Sequence, residues 1–311
     1  MVDDNSSDDS AALAEAAGAV VLRTLGARGP AAARNLGAAH ASGDLLVFVD
    51  SDVCVRADTM ARIRRRFELY PRLDALFGSY DDEPASAGFV SQYKNLLHHF
   101  VHQQGREEAA TFWAGCGAIR REVFLEAGGF DESYTRPCIE DIELGYRLRQ
   151  LGRRIVLDPG LQVKHLKHYQ LSSLLRSDIF DRALPWTLLI LGSGSLPNDL
   201  NLRLAQRASA ALVLAAVVLA PACAAAGLPL AWAGLPLLGT ILLNRRFFHF
   251  LARKRGWGFA AAAAPLQWAY YLYSTLAFAA VAALYGLRWR DRRRRPKDGC
   301  AEIQPDTPTC P

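Results

Sequence analysis

The sequence LLVFVDSD occupies residues 45–52 and joins a run of apolar residues to two aspartates. Because residues 45–49 are apolar at every position, they predict a strand that is buried on both faces. Asp50 and Asp52 then lie at the carboxyl end of that strand, where open α/β sheets bind their ligands. Carboxylate oxygens can hold Mg²⁺ or Mn²⁺ together with phosphate and water. A turn or a helix cap is the other interpretation of the two aspartates, and the triplet alone leaves both open.

Strands and helices alternate on both sides of this run. Periodicity and turn residues predict helices over 30–41, 58–68, 89–103 and 140–151, and strands over 19–22, 73–77 and 155–157. Such alternation is typical of a mostly parallel sheet with helices on both faces. The sequence therefore predicts an α/β domain over residues 1–170.

Two long uncharged segments follow this domain. Residues 208–243 and 259–287 contain no Asp, Glu, Lys or Arg. One helix over the first segment would be about 54 Å long, against a hydrocarbon core of about 30 Å, so we expect a hairpin that turns at Gly227. The sequence predicts about three transmembrane spans over 208–287, an amphipathic interfacial segment over 171–207 and a basic tail over 288–311.

Composition and charge narrow the class of protein. The chain is 51% hydrophobic and 22% charged, which excludes a disordered protein. Its net charge of +5 reflects arginines crowded after residue 287, which favour contact with anionic lipid or act only as a topology signal. With three spans this tail and the α/β domain lie on opposite sides of the membrane, which the positive-inside rule disfavours. Two alternatives therefore stay open: one segment is re-entrant, or there is a further crossing. Nucleic acid is excluded as a partner, because no motif or basic groove for it occurs.

Cysteine usage and the N-terminus indicate the compartment. The six cysteines include no C-x-x-C pair, so they predict neither a zinc site nor a disulfide framework. No basic segment followed by an apolar stretch opens the chain, so nothing resembles a secretory signal. We therefore expect the α/β domain to face the cytosol.

Further ionisable residues have two interpretations each. Asp141 begins a predicted helix, where the helix dipole favours a carboxylate whether or not it has a chemical role. His165 follows the last predicted strand and is either a metal ligand or a hydrogen-bonded polar residue. The histidines at 98, 99 and 102 have helical spacing but no acidic partner, which favours a structural role over a metal site.

Short blocks in a fixed order carry a resemblance to a known family. They are VDDNSSD at 2–8, GPAAARNLG at 29–37, ASGD at 41–44, FVDSD at 48–52, GCGAIRR at 115–121, AGGFDE at 127–132 and IEDIELGYR at 139–147. Together they resemble the family 2 glycosyltransferases, which have the GT-A fold. The fold class expected is thus an α/β nucleotide-sugar-binding domain with a Rossmann-like sheet, followed by transmembrane α-helices.

The resemblance implies transfer of a sugar, with inversion, from a nucleotide-diphosphate donor in the presence of Mg²⁺ or Mn²⁺. It assigns Asp3, Asp4, Arg34 and Asp50 to the donor, Asp50, Asp52 and His165 to the metal, and Gly117 and Glu140 to the acceptor side. Asp141 would be the base that removes the proton of the acceptor hydroxyl.

Two departures from the family pattern modify these expectations. The chain begins inside the nucleotide-binding block, which predicts a sheet that is incomplete at its N-terminus. The membrane polysaccharide synthases of the family carry Q-x-x-R-W after the acidic helix, whereas residues 177–186 are SDIFDRALPW. This difference disfavours processive synthesis.

The function predicted is transfer of a sugar to a membrane-lipid or polyprenyl-phosphate acceptor, with the catalytic domain on the cytoplasmic side of a cell inner membrane. Two alternatives stay open. One is an enzyme similar to the processive polysaccharide synthases. The other is a truncated, inactive pseudoenzyme or membrane interaction protein.

Overall fold

A computed structural model describes residues 1–294, with side chains described for residues 1–287. The strands are β1 (Val2–Asp3), β2 (Leu22–Arg23), β3 (Leu45–Val49), β4 (Val53–Cys54), β5 (Ala75–Tyr80), β6 (Cys116–Arg120) and β7 (Ile155–His165). The basic tail predicted over 288–311 lies outside the side chains that the structure describes.

The helices are α1 (Ser10–Ala16), α2 (Pro30–His40), α3 (Thr59–Leu69), α4 (Phe89–Gln103), α5 (Arg121–Glu126), α6 (Glu140–Gln150), α7 (Leu171–Arg176), α8 (Leu184–Ser193), α9 (Leu204–Ala225), α10 (Ala231–Leu243), α11 (Arg245–Arg255) and α12 (Trp257–Arg294). A π-helical turn, Ser177–Ala183, joins α7 to α8 without a break. The predicted helices over 30–41, 58–68, 89–103 and 140–151 are confirmed to within about two residues.

The central sheet is mixed. Its strand order is β3, β6, β5, β7, β4; β5 and β7 are parallel, and the other three pairs are antiparallel. The prediction of a mostly parallel sheet was therefore wrong. The cause is β6, which runs against both β3 and β5, and whose sequence CGAIR begins with small residues that give a weak strand signal. The predicted strand over 19–22 is reduced to β2, which pairs only with β1.

Helices cover both faces of this sheet. One face packs the rings of Phe48, Phe77, Phe112, Phe124 and Phe130 beneath α2, α5 and α6. The other face packs against Ile63 and Phe67 of α3. The ends of the strands therefore stay free for a site, while the faces supply the apolar burial that stabilises the domain.

A third core joins the α/β domain to the C-terminal helices. Tyr93, Leu96 and Leu97 of α4 pack against Phe248 and Leu251 of α11 and against α12. Because these residues are buried together, α4 belongs at once to the domain and to the helical region.

The C-terminal helices agree with the predicted hairpin. α9 ends at Ala225, α10 begins at Ala231, and the two helices pack together on either side of the turn at Gly227. Leu204–Ala225 and Trp257–Leu287 are long and apolar enough to cross a membrane, and Ala231–Leu243 is shorter. The figure of about three spans stays a prediction, as do the predicted domain boundaries.

Gly145 lets helix α6 pack closely against the backbone of Thr111 and Phe112, and this contact orients the helix. A Cβ atom at this position would collide with the backbone of Thr111 and Phe112. We expect Gly145→Ala to lower the free energy of unfolding by about 1–3 kcal/mol, as overpacking a tight contact does, measured by thermal unfolding of the full chain in detergent. Gly192→Ala in α8 is the control, because nothing lies within 4 Å of its Cβ position. Equal stability of the two variants would contradict the close approach.

Candidate active site

Arg34 ties the end of strand β3 to the start of helix α6. Its guanidinium donates to Asp50 Oδ1 at 2.8 Å and to Glu140 Oε1 at 2.7 Å. Although burial opposes its charge, these two carboxylates raise the pKa of Arg34 above the ordinary value. Glu140 also accepts the backbone N–H of Cys138 at 2.9 Å. Two carboxylates that would repel each other are thus held on one cation.

Asp52 faces His165 across the same edge of the sheet. Their Oδ2 and Nε2 atoms are 3.6 Å apart, and Lys167 Nζ lies 3.9 Å from the same carboxylate. The interaction with His165 lowers the pKa of Asp52. His165 is 3% exposed and stacks on Tyr80, with ring centroids 4.1 Å apart.

The pair formed by Asp52 and His165 suits a divalent cation. As metal ligands it offers one carboxylate oxygen, from Asp52, and one imidazole nitrogen, from His165, at the same end of the sheet. Among residues 1–287, no cluster of three or more His, Cys, Asp or Glu side chains has metal-site geometry. A cation here would therefore complete its coordination with oxygens from phosphate and water, as Mg²⁺ does.

Asp141 lies at the first turn of α6, next to Glu140. Its Oδ2 accepts the backbone N–H of Ala114 at 3.1 Å, and its Oδ1 accepts that of Ile142 at 2.7 Å. Burial, reinforced by the charge of Glu140, raises the pKa of Asp141 well above the ordinary range of an aspartate. A carboxylate with a raised pKa is a stronger base than a solvated one.

Asp3 and Asp4 stand beside the N-terminus of α2. Asp4 accepts hydrogen bonds from the backbone N–H groups of Arg28 and Gly29 at 2.8 and 2.7 Å, and from the Thr24 hydroxyl at 2.6 Å. Asp3 is 7% exposed and accepts the N–H of Ser6. Asp4 therefore shapes the loop that leads into α2 and Asp3 shapes the turn after β1, and their contact with a donor stays a prediction.

The two residues expected on the acceptor side, Gly117 and Glu140, are both buried in the structure. Gly117 is buried within β6, where a side chain would collide with Phe112 and the Trp113 backbone. Glu140 is 4% exposed and paired with Arg34. The structure thus packs Gly117 against Phe112 and pairs Glu140 with Arg34, and the contact of either residue with an acceptor stays a prediction.

A buried polar cluster next to this site was missed in the sequence. Lys94 of α4 donates to both oxygens of Asp178 at 2.7 Å, and Tyr273 of α12 donates to the same carboxylate at 2.7 Å. Arg182, one π-turn after Asp178, contacts that carboxylate at 3.7 Å and the Nε2 atom of His98 at 3.2 Å. A lysine amid the apolar residues of α4 was the only signal in the sequence.

The histidines of α4 have structural surroundings. Burial lowers the pKa of His98 well below its ordinary value, so its neutral Nε2 can accept a hydrogen bond from Arg182. Its ring stacks on Tyr80 at 5.9 Å, and Tyr80 stacks on His165. Contacts therefore run without a gap from α12, through Asp178 and Arg182, to the pair formed by His165 and Asp52.

Lys94 and Asp178 stabilise each other in a nearly dry environment. Lys94→Met leaves the carboxylate buried without its lysine, so we expect the free energy of unfolding to fall by about 3–5 kcal/mol. Lys94→Met combined with Asp178→Leu should recover much of this loss, because a well-packed apolar pair can replace a buried ion pair. The measurement is thermal unfolding in detergent.

The control is Arg154→Met, which removes an exposed ion pair with Glu108 at 2.7 Å and should cost less than about 1 kcal/mol. If Lys94→Met is no more harmful than this control, the buried pair has no structural importance.

Comparisons with known proteins show that the α/β domain is similar to glycosyltransferases. The family model described as glycosyl transferase family 2 matches residues 1–128. The pre-mycofactocin glycosyltransferase of Mycobacterium tuberculosis is 30% identical over 174 residues, which cover 51% of this chain and 35% of that protein. The O-antigen biosynthesis protein RfbC of Myxococcus xanthus is 33% identical over 87 residues, or 28% of this chain and 6% of that protein. The chain thus spans about a third or less of the length of these curated relatives.

A solved structure has the same fold. The mannosyltransferase PcManGT of Pyrobaculum calidifontis aligns with a TM-score of 0.57 over 85% of this chain and 76% of its own, at 20% identity. The matched residues 1–128 include β3, Arg34 and the two aspartates of the DSD triplet. The match to glycosyl transferase family 2 lies in this N-terminal part of the chain, and the α/β domain has the GT-A fold.

Proposed function

We propose that the protein transfers a sugar from a nucleotide-diphosphate donor to a lipid-linked acceptor at a membrane, with inversion and with a divalent cation. The observation that carries this proposal is the arrangement at one edge of the sheet. Asp52 and His165 form a pair that could bind a cation, and Arg34 joins Asp50 to Glu140, next to the half-buried carboxylate of Asp141.

The donor proposal follows from the charges at this edge. The solved relative PcManGT contains GDP-Man and Mn²⁺, which supports a nucleotide sugar with a metal-bound diphosphate here. Asp52 and His165 would hold Mg²⁺ or Mn²⁺, and this cation would offset the negative charge that grows on the departing diphosphate. Arg34 would keep Asp50 in place beside the donor.

The base proposed is Asp141. An inverting transfer removes a proton from the acceptor hydroxyl as that oxygen attacks the anomeric carbon on the face opposite the leaving group. The N–H of Ala114 fixes the orientation of the carboxylate, and its partly buried position raises its basicity. These features support a functional carboxylate over a simple helix start.

The membrane proposal follows from the C-terminal helices. Two helices have the length and composition of membrane spans, and the continuous helix from α7 to α8 contacts the α/β domain through Trp186, whose Nε1 lies 3.4 Å from Tyr146 Oη. An acceptor carried by a membrane lipid or polyprenyl phosphate would reach the site along this helix. We propose a cytoplasmic orientation in an inner membrane, because the basic helix α11 lies on the domain side.

Asp52→Asn tests the metal site. Charge-assisted contacts contribute about 1.5–3 kcal/mol each, so donor binding in Mn²⁺ should weaken roughly 10- to 100-fold while the fold is kept. Calorimetric titration of the full chain with UDP- and GDP-sugars, with and without Mn²⁺, measures this effect. Asp44→Asn is the matched control, because Asp44 is an exposed aspartate just before the same strand. An unchanged Mn²⁺-dependent affinity in Asp52→Asn would remove this residue from the metal site.

Asp141→Asn tests the base. Transfer should slow by about 10²-fold or more, with donor affinity unchanged. The base must be deprotonated, so the wild-type rate should rise with pH through a pKa above that of an ordinary carboxyl, and this limb should vanish in the variant. Glu122→Gln is the control, because Glu122 is an exposed carboxylate in the first turn of α5. A variant with near-normal turnover, or with the acid limb intact, would exclude Asp141 as the base.

A further inference from the structure

We propose that a groove lined by Arg106, Arg203 and Arg246 binds the phosphate of an anionic phospholipid headgroup. This arginine groove has a volume of about 390 Å³. It lies away from the sheet edge that holds Asp52 and Asp141. The proposal rests on the membrane insertion proposed above and is independent of sugar transfer.

The position of the arginine groove matches that of a headgroup. Arg203 immediately precedes α9, and Arg246 is the second residue of α11, which begins just after α10 ends at Leu243. Gln206, in the first turn of α9, donates to Asn244, the residue after α10, at 3.2 Å, so the start of α9 and the end of α10 lie at one level. At that level the hairpin meets the end of α4, where Phe100 lines the groove. This is the boundary between the candidate membrane helices and the α/β domain.

The three guanidinium groups are available to a ligand. Arg203 is half-buried and Arg106 and Arg246 are exposed. Among residues 1–287, no carboxylate lies within 4 Å of these three side chains, whereas the half-buried arginines at 34, 66, 147 and 182 each have such a partner. Asp199 is the acidic residue close by. Its carboxylate is buried and accepts the backbone N–H groups of Arg106 and Leu200 at 3.2 and 2.8 Å, and it makes no side-chain ion pair with the three arginines.

Three of the four amide side chains that line the arginine groove are already engaged within the protein, and the fourth is the exposed Gln104. Asn244 donates to Ser209 at 2.8 Å, and Gln206 donates to Asn244 at 3.2 Å. The Asn198 side chain accepts the backbone N–H of Leu204 at 2.9 Å. The positive charges of the groove are therefore its unmatched feature.

The arginines and apolar residues that line the groove favour the phosphate of a lipid as its ligand. Arginine binds phosphate oxygens through two parallel N–H donors, which suits a phosphodiester. Leu204, Leu243 and Phe247 supply an apolar lining beside the arginines, where the glycerol and first methylene groups of a phospholipid would lie. A zwitterionic headgroup would bring its own cation into the groove, so the site should prefer an anionic lipid.

The test measures lipid preference in the full chain purified in detergent. Dioleoylphosphatidylglycerol, dioleoylphosphatidylcholine or inorganic phosphate is added, and the thermal unfolding midpoint and the bound lipid, by native mass spectrometry, are recorded. Phosphatidylglycerol should bind preferentially and raise the midpoint, as any ligand of the folded state does. Arg203→Gln combined with Arg246→Gln should weaken this binding by about fivefold for each arginine removed.

The control removes the same charge from another surface. Arg64→Gln combined with Arg72→Gln changes two exposed arginines of the α/β domain and should leave the preference intact. If the double groove variant fails to fold, Arg106→Gln, at an exposed side chain, should still lose about fivefold.

Three results would overturn the proposal. They are a wild-type chain without preference for phosphatidylglycerol, a groove variant that keeps the preference, and inorganic phosphate that stabilises the chain as well as the lipid does. A chain that does not sediment with membranes after an alkaline wash would instead refute membrane insertion. Because none of these measurements involves sugar transfer, a failure here is distinguishable from failure of the proposed enzyme activity.

Discussion

The ion pairs made by Arg34 are the interaction on which the candidate site depends. One guanidinium joins Asp50, at the end of β3, to Glu140, at the start of α6. Without that cation two carboxylates in a partly buried edge would repel each other, and one would have to take up a proton. The pairing therefore fixes the position of α6, and with it the direction in which Asp141 presents its carboxylate.

The mixed sheet brings the remaining groups to the same edge. β6 lies antiparallel between β3 and β5, and its preceding residue, Gly115, accepts the backbone N–H of Asp50. The neighbouring Ala114 donates to Asp141. One short segment before β6 thus contacts both Asp50 and Asp141. A small residue is required there, because the space at Gly115 is filled by the Trp113 ring.

Local patterns in the sequence were sufficient for part of this structure. The helices over 30–41 and 140–151 follow from capping and periodicity, which act within a few residues. The apolar run before Asp50 likewise predicts β3. The pairing of Arg34 with Glu140 joins residues that are 106 positions apart, and no local pattern encodes it. The burial of Glu140 depends on that distant guanidinium, so the residues around position 140 could not predict it.

The junction between domain and membrane helices explains why an amphipathic segment can mislead. The sequence of α11 has basic residues beside phenylalanines, which is typical of a helix that lies in a membrane interface. In the structure its apolar face is occupied, because Phe247, Phe248 and Leu251 pack against α4. The face cannot be buried twice, so α11 anchors the domain to the helices through its apolar side, while Arg245, Arg246 and Arg253 are exposed. The same division holds at Asp178, where a buried carboxylate joins α4 to α12 and leaves Arg182 directed toward the sheet edge. Both junctions thus use apolar or paired groups to hold the domain against the C-terminal helices.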